Sequence, residues 1–256
     1  MRQRPAIVFA GISAAFLLTV ICYWPSLSGP FVFDDIPNLE LLGSGGGLTS
    51  PDKYVEFIFS AESSTLGRPV SLFSFTLNGQ DWPTDPRPFR VTNLLLHLVN
   101  GLLVFLLTRA IFSTSHRPET AEKLALLCMT LWLLHPLLVS TTAYIVQRMT
   151  QLGALFTLAG LLCYVRGRRH LAEQAPKGWA WIVGGMGFCG ALALLSKETG
   201  ILLPGFALVL EVTVFRSNVL PDRTRKILLA LFCFPLAALL LYFAFDWRSL
   251  QAGFNY

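Results

Sequence analysis

Asp34 and Asp35 stand side by side in the stretch GPFVFDDIPNLE, residues 29–40, just after the apolar run at 6–25. Two like charges so close repel, and near lipid each loses part of its hydration. The pair is therefore either a solvated loop end or a feature held in place for chemistry. Cations recur in three later stretches: Arg68 in LGRPVSLFSFTLN, Arg148 with His135 in HPLLVSTTAYIVQRMTQ, and Lys197 beside Glu198 in LLSKETGILLP. Each has a plain structural reading. Lys197 and Glu198 fit a snorkelling pair at a helix hairpin, Arg148 a lipid-phosphate anchor, and His135 before Pro136 a helix kink. Brought to one face of a membrane, carboxylates from one turn and cations from three others would form a pocket for an anionic headgroup and a nucleophile.

The elements that must position these residues are membrane helices. The chain has 256 residues, 54% of them hydrophobic and only 14% charged, against about a quarter charged in soluble domains. The apolar residues fall in blocks long enough to cross a bilayer, at 6–25, 91–112, 124–144, 150–166, 178–196, 199–215 and 227–245. The expected architecture is an all-α polytopic bundle of seven spans forming a single membrane domain over 1–256, with one long outer loop at 26–90 between the first two. Its formal charge of +5 is read as topology rather than as a nucleic-acid footprint. Inside segments would carry Arg2 and Arg4, then Arg109, Arg117 and Lys123, then Arg166, Arg168, Arg169 and Lys177, then Arg216, Arg223, Arg225 and Lys226. Every short outside turn carries fewer, so the N-terminus is placed in the cytoplasm. Asp34, Asp35, Arg68, Arg148, Lys197 and Glu198 then share the outer face.

Smaller features fit this frame. The basic start followed by a full-length apolar run, with no small-residue cleavage site before Tyr23 and Trp24, reads as an uncleaved first helix. Cys22, Cys128, Cys163, Cys189 and Cys233 all lie in apolar stretches without metal-ligand spacing and read as small buried hydrophobes. GSGGG at 43–47 has no following Lys-Ser/Thr and reads as a linker, not a phosphate loop. PDKYVEFIFSAE puts Tyr54, Phe57 and Ile58 on one face of an interfacial helix, and the Gly-rich GWAWIVGGMGFCGALALL suits close helix contact.

The ordered motifs FVFDDIPNL, GRPVSLFSFTLN, FRVTNLLLHLVNGLLVFLL, HPLLVSTTAYIVQRMTQLGALF and LLSKETGILLP resemble the bacterial relatives of the TMTC family. These are membrane glycosyltransferases of the GT-C class, related more distantly to protein O-mannosyltransferases. The resemblance implies a GT-C-type bundle, a polyprenyl-phosphate-linked sugar as donor, and an acceptor hydroxyl on the outer side, on a protein Ser or Thr or on a glycan. It also implies that the acidic pair of the first outer loop supplies the catalytic carboxylate. Such enzymes usually have more than seven spans, and many continue into tetratricopeptide repeats. The chain is therefore expected to be a short or truncated form, ending at FDWRSLQAGFNY outside the membrane. A bacterial inner membrane with a periplasmic active face is expected on the same ground.

Glycosyl transfer from a lipid phosphate needs a base for the acceptor hydroxyl and cations where the leaving phosphate gathers charge. Asp34 or Asp35 is assigned as the base, Asp34 preferred because it follows the apolar anchor FVF. Arg148 and Lys197 are assigned to the donor phosphate, with Arg68 third and His135 and Glu198 in support. Adjacent carboxylates could also hold Mg²⁺ or Mn²⁺, although two oxygen donors from one turn are thin coordination. The resemblance favours direct, inverting attack. The competing classes are a transporter or channel and a non-catalytic membrane scaffold. Against transport, the ionisable residues gather at the surface rather than the midplane, and no inverted repeat is visible.

Overall fold

The computed structural model describes residues 4–43, 46–60, 67–216 and 220–245, without the side chains of 4, 5, 238–240 and 242–245. Arg2, part of the Gly run, the end of the expected interfacial helix and the stretch 246–256 with Arg248 lie outside the described residues. Among the described residues there are helices and turns and no strand.

The chain begins with α1 (Arg4–Tyr23), which tightens into a 3-10 turn at Trp24–Ser28. Three short helices follow: α2 (Asp35–Leu39), α3 (Pro51–Ile58) and α4 (Pro69–Thr76). The last two open on proline, which suits the first turn because its missing N–H has no partner there anyway. Then come α5 (Arg87–Phe112), α6 (Pro118–Leu133), α7 (Leu138–Ala143) and α8 (Arg148–Ala172). Next, α9 (Lys177–Trp179) runs through a π-helical segment, Ala180–Met186, into α10 (Gly187–Ser196). Finally α11 (Leu203–Thr213) and α12 (Asp222–Phe245) complete the described chain.

Among the described residues, four helices are long and apolar enough to cross a membrane: Ala6–Ser28, Arg87–Phe112, Ile145–Ala172 and Lys177–Ser196. They present large apolar side chains outward, Phe9 at 73% and Phe188 at 67% exposure among them, as a membrane-embedded protein does. Of the other expected spans, 227–245 lies within the continuous α12, and two are helical but broken. The stretch 124–144 is not one helix, since α6 stops at Leu133 and the chain resumes as α7. Pro136 explains this, because it lacks an N–H and disfavours helical geometry in the residue before it. Likewise, 199–215 holds a 3-10 turn at Glu198–Leu202 and only eleven residues of α11. Among the described residues, length and composition alone therefore identify four of the seven expected spans.

The expected outer loop is a folded cap. α2, α3 and α4 enclose Leu39, Leu42, Phe57, Leu72 and Phe75, which pack on Phe89 and on Ile145, Val146 and Met149 at the start of α8. Phe57 of the expected interfacial helix is buried in this core, while Tyr54 is exposed. The glycine-rich contact forms where the sequence suggested. A Cβ added at Gly178 would lie 2.7 Å from the Gly167 carbonyl oxygen. The cysteines depart from expectation. All five are free thiols, Cys22 and Cys233 exposed and the others half-buried, because an apolar exterior accepts them as readily as a core.

A polar stripe along α5 ties the broken helices together. Arg90, Asn93, His97 and Asn100 recur at helical spacing on one face and are all buried. Arg90 Nε donates to the Ala143 carbonyl at 2.9 Å, where α7 ends. Asn93 Nδ2 donates to the Tyr144 and Ile145 carbonyls, at 3.3 and 3.2 Å. His97 Nε2 donates to the Leu133 carbonyl at 2.9 Å, at the end of α6, and Asn100 Nδ2 to the Gln151 carbonyl at 3.0 Å. Helix ends leave carbonyls without intrahelical partners, and lipid offers none. The stripe supplies them.

At the other end of α8, Arg168 lies twenty residues from Arg148 in the same helix, roughly 30 Å away at 1.5 Å per residue. It is not the loop charge that the sequence suggested. It is 1% exposed, with Nε and Nη2 donating to Glu211 at 2.8 and 3.1 Å, and Tyr164 Oη donates to the same carboxylate.

Replacing Asn93 by Leu, similar in size but without donors, should leave the Tyr144 and Ile145 carbonyls and the Arg148 Nε–H short of partners. The expected cost is about 2–3 kcal/mol, read as a lower unfolding midpoint in detergent. His97→Ala should act in the same direction at the Leu133 carbonyl.

Candidate active site

The two adjacent aspartates are separated by the turn that carries them. Asp35 opens α2 and is fully buried. Its Oδ2 accepts the Val32 N–H at 3.0 Å and its Oδ1 the Val146 N–H at 2.8 Å, so the carboxylate staples the 32–35 turn to the segment before α8. Burial pushes this carboxyl above its usual value; the two N–H bonds and the nearby Arg90 charge pull it back, and Asp34 pushes it up again. Asp34 is exposed and lines a cavity of about 760 Å³ at the capped end of the bundle. Its backbone N–H donates to Tyr144 Oη at 2.8 Å, and its carbonyl accepts Asn38 Nδ2 at 2.8 Å.

The turn is held under strain. Phe33, immediately before Asp34, has φ +46°, a left-handed conformation that a bulky side chain rarely adopts. Its ring is 84% exposed, so burial of the ring does not compensate. The fixed points are on either side: Asp35 bonds Val32, Tyr144 bonds Asp34, and Arg90 donates to the Gly29 and Pro30 carbonyls.

The opposite wall of the cavity is cationic. Arg68 precedes α4 with φ +48°, also left-handed. Its Nε and Nη2 donate to Glu198 Oε1 and Oε2, each at 3.0 Å, a two-pronged ion pair across the chain. Lys197 is extended between α10 and the 3-10 turn, and its Nζ donates to Thr150 Oγ1 at 2.6 Å. Thr150 in turn donates to Gln147 Oε1 at 2.5 Å. Burial, and then the Arg68 charge, hold the Lys197 ammonium below its usual value, with Glu198 opposing. Close packing fixes this turn: a Cβ on Gly200 would lie 2.3 Å from the Ala193 carbonyl carbon. Ser71 Oγ donates to the Ser196 carbonyl at 2.8 Å, joining α4 to the same turn.

The structure therefore gathers Asp34, Arg68, Lys197 and, through Arg68, Glu198. Besides the buried Asp35, two expected members lie elsewhere. Arg148 is a strut beneath the cavity rather than part of its lining, because its guanidinium is fully buried and all three of its nitrogens are bonded within the protein. Nε bonds Asn93 Oδ1 at 2.8 Å, Nη1 the Ser74 carbonyl at 2.9 Å, and Nη2 both Asn78 Oδ1 and the Phe89 carbonyl at 2.9 Å. The group also lies over the Phe75 ring, 4.5 Å from its centroid. His135 is exposed at the break between α6 and α7, where Nδ1 accepts the Leu137 N–H at 3.3 Å. That is the kink reading.

Asp34 and Asp35 do not face one point, so a divalent ion in the cavity would meet only Asp34 of the pair. Glu40 is the other carboxylate of the lining. Among the described residues no group of three or more His, Cys, Asp or Glu gathers to hold a metal.

Comparison with known proteins finds relatives of this sequence. Protein O-mannosyl-transferase TMTC4 of Homo sapiens is 30% identical over 218 residues, which cover 79% of this chain and 29% of the human protein. TMTC4 of Mus musculus is 27% identical over 226 residues, 82% of this chain and 30% of that protein. TMTC2 of Mus musculus is 26% identical over 227 residues, 84% of this chain and 26% of that protein. The chain is TMTC-like in sequence. It spans less than a third of the length of these relatives. No family model matches it, and no solved structure does.

Several residues of the cavity and its frame escaped the sequence reading. Asn38, Glu40 and Gln147 line the cavity, and Tyr144, Arg90 and Asn93 hold its frame. Asn93 had a signal, a polar residue repeating with His97 and Asn100 inside an apolar run. Tyr144 had none, since its role is set by a contact 110 residues away.

Asp35→Asn keeps one acceptor oxygen but turns an NH₂ toward an N–H donor, so a loss of about 1–3 kcal/mol is expected with the cavity groups intact. Because the folded Asp35 binds its proton more tightly than the unfolded chain, its linkage favours folding most at low pH. That contribution fades as pH rises from the usual carboxylate value through the raised one. Unfolding midpoints measured across that window should show the slope in the parent and not in the Asn variant.

Proposed function

We propose that this chain carries the catalytic face of an integral-membrane glycosyltransferase of GT-C type. It would move a sugar from a polyprenyl-phosphate donor to an acceptor hydroxyl, on a protein Ser or Thr or on a glycan. The observation that carries the reading is that Asp34 and the cations Arg68 and Lys197 line one cavity, in a chain similar over about four fifths of its length to proteins named O-mannosyl-transferases. The volume of about 760 Å³ falls within the range of small-molecule sites and leaves room for a glycosyl phosphate beside an acceptor side chain.

In this reading Asp34 accepts the proton as the acceptor oxygen attacks the anomeric carbon. The bond from that carbon to the phosphate oxygen breaks, and the phosphate leaves with the electron pair. Lys197 and Arg68 stand where that charge develops. One ammonium N–H of Lys197 is held by Thr150, which aims the remaining donors at the phosphate. Arg68, held by Glu198 on Nε and Nη2, offers one N–H of Nη1, the other donating to Met149 Sδ at 3.4 Å. Direct displacement inverts the anomeric centre. Asn38, Gln147 and Glu40 are the polar groups placed to meet sugar hydroxyls. The charge bias of the segments between helices supports a cytoplasmic N-terminus, and with it a periplasmic cavity in a bacterial inner membrane. A divalent ion bound through Asp34 is compatible with this course but is not required by it.

Asp34→Asn should insert and fold normally yet lower kcat for sugar transfer at least about a hundredfold. Transfer at the parent rate would overturn the base assignment, and solute flux surviving that change would point to transport instead.

Lys197 gives a pH signature. Its depressed value means that the ammonium, and with it phosphate affinity, is lost as pH rises, earlier than for an ordinary lysine. The alkaline limb of kcat/KM should therefore fall below pH 10.5, and Lys197→Arg should move it upward. A limb unchanged in the Arg variant removes Lys197 from the phosphate site.

A further inference from the structure

A second cavity opens at the opposite end of the bundle, about 280 Å³ in volume, between the end of α11 and the start of α12. Its charged lining is Glu211, Arg216 and Arg225, and its apolar walls include Phe215 and Leu220. The Glu211 carboxylate is already committed, since Arg168 Nε and Nη2 and Tyr164 Oη all donate to it. The negative charge on the cavity floor is therefore neutralised from behind by a buried guanidinium. Arg216 and Arg225 are exposed at the mouth, and among the described residues neither forms an ion pair. The cavity thus keeps an excess of two positive charges, carried by two planar groups suited to phosphate oxygens.

Its position selects the occupant. Arg168 lies about 30 Å along α8 from the cap, which is the thickness of a bilayer's hydrocarbon core. The cavity next to Glu211 is then level with the headgroups of the leaflet opposite the candidate active site. The two helices that form it also expose Val209, Val212 and Ile227, apolar surface that acyl chains can cover. We infer that this cavity binds the headgroup phosphate of an anionic glycerophospholipid from that leaflet, with Arg216 and Arg225 as the phosphate ligands. The site is independent of the transfer chemistry proposed above.

Native mass spectrometry of the detergent-solubilised full chain, titrated with dioleoyl-phosphatidylglycerol or dioleoyl-phosphatidylcholine, tests this. The parent should retain the anionic lipid over the zwitterionic one by about tenfold or more. Arg216→Gln with Arg225→Gln should abolish that preference. Arg216→Lys with Arg225→Lys, which preserves the charges that govern insertion, should keep an intermediate one. Equal retention of both lipids by the parent, or an undiminished preference in the glutamine variant, overturns the inference. Displacement of the lipid by millimolar inorganic phosphate would reassign the site to a free anion, and displacement by polyglutamate to an acidic polypeptide. Both overturn the lipid assignment. If the glutamine variant does not insert, the lipid preference of the parent under phosphate competition decides the question alone.

Discussion

A fully buried guanidinium is among the most demanding groups a protein can enclose, because leaving any of its donors unmet costs free energy that lipid cannot return. Arg148 meets that demand by drawing two stretches of chain onto itself at four residues: the carbonyl of Ser74 in α4 and the side chain of Asn78 just after it, and Phe89 and Asn93 in α5. None of the four lines the cavity, but they fix α4, whose Leu72 does. The positions of Arg68 and of the α4–Lys197 contact follow from where Arg148 holds α4.

The second organising device is the polar face of α5. A membrane helix interrupted by proline exposes carbonyls that must be paired inside the protein. Arg90, Asn93 and His97 pair those at the ends of α6 and α7, so the interruption is tolerated and the chain can turn back into the cap. That turn carries Tyr144 and the Val146 N–H, the partners of Asp34 and Asp35. The interruption near Pro136 thus acts on the cavity by presenting the segment on which both aspartates are fixed.

The sequence made the membrane class legible, because apolar blocks need no tertiary context to be recognised. It also made legible the gathering of Asp34, Arg68, Lys197 and Glu198. Each stands where an apolar run gives way to polar chain, and such ends collect at a membrane surface. The role of Arg148 was not legible. A cation just before an apolar run looks the same whether it reaches out to a lipid phosphate or inward to backbone carbonyls, and only the positions of Ser74, Asn78, Phe89 and Asn93 decide. The division of labour between Asp34 and Asp35 was hidden for a similar reason: it depends on the left-handed Phe33 and on partners more than a hundred residues away. Four of the seven expected spans are continuous apolar helices among the described residues, while proline and short helices interrupt two others, since hydropathy registers apolar residues and not the continuity of the backbone.

The π-helical segment Ala180–Met186 has a consequence for how this chain can change over time. Such segments correspond to extra residues accommodated within an α-helix. Deleting one residue there would let the helix close into regular geometry, and because the wide turns already absorb the extra residue, the faces presented before and after the segment would change little. A one-residue deletion within α10 itself would instead turn everything downstream by roughly 100°, the angular step of one helical residue. Ser196 and Lys197 would then leave the end of α10 in a different direction, away from Thr150. The wide segment is thus the place in this membrane helix where the chain can lose a residue and keep the cationic wall. Substitutions there are less free, since Ile182 is fully buried and a Cβ on Gly185 would lie 3.0 Å from Cys163 Sγ.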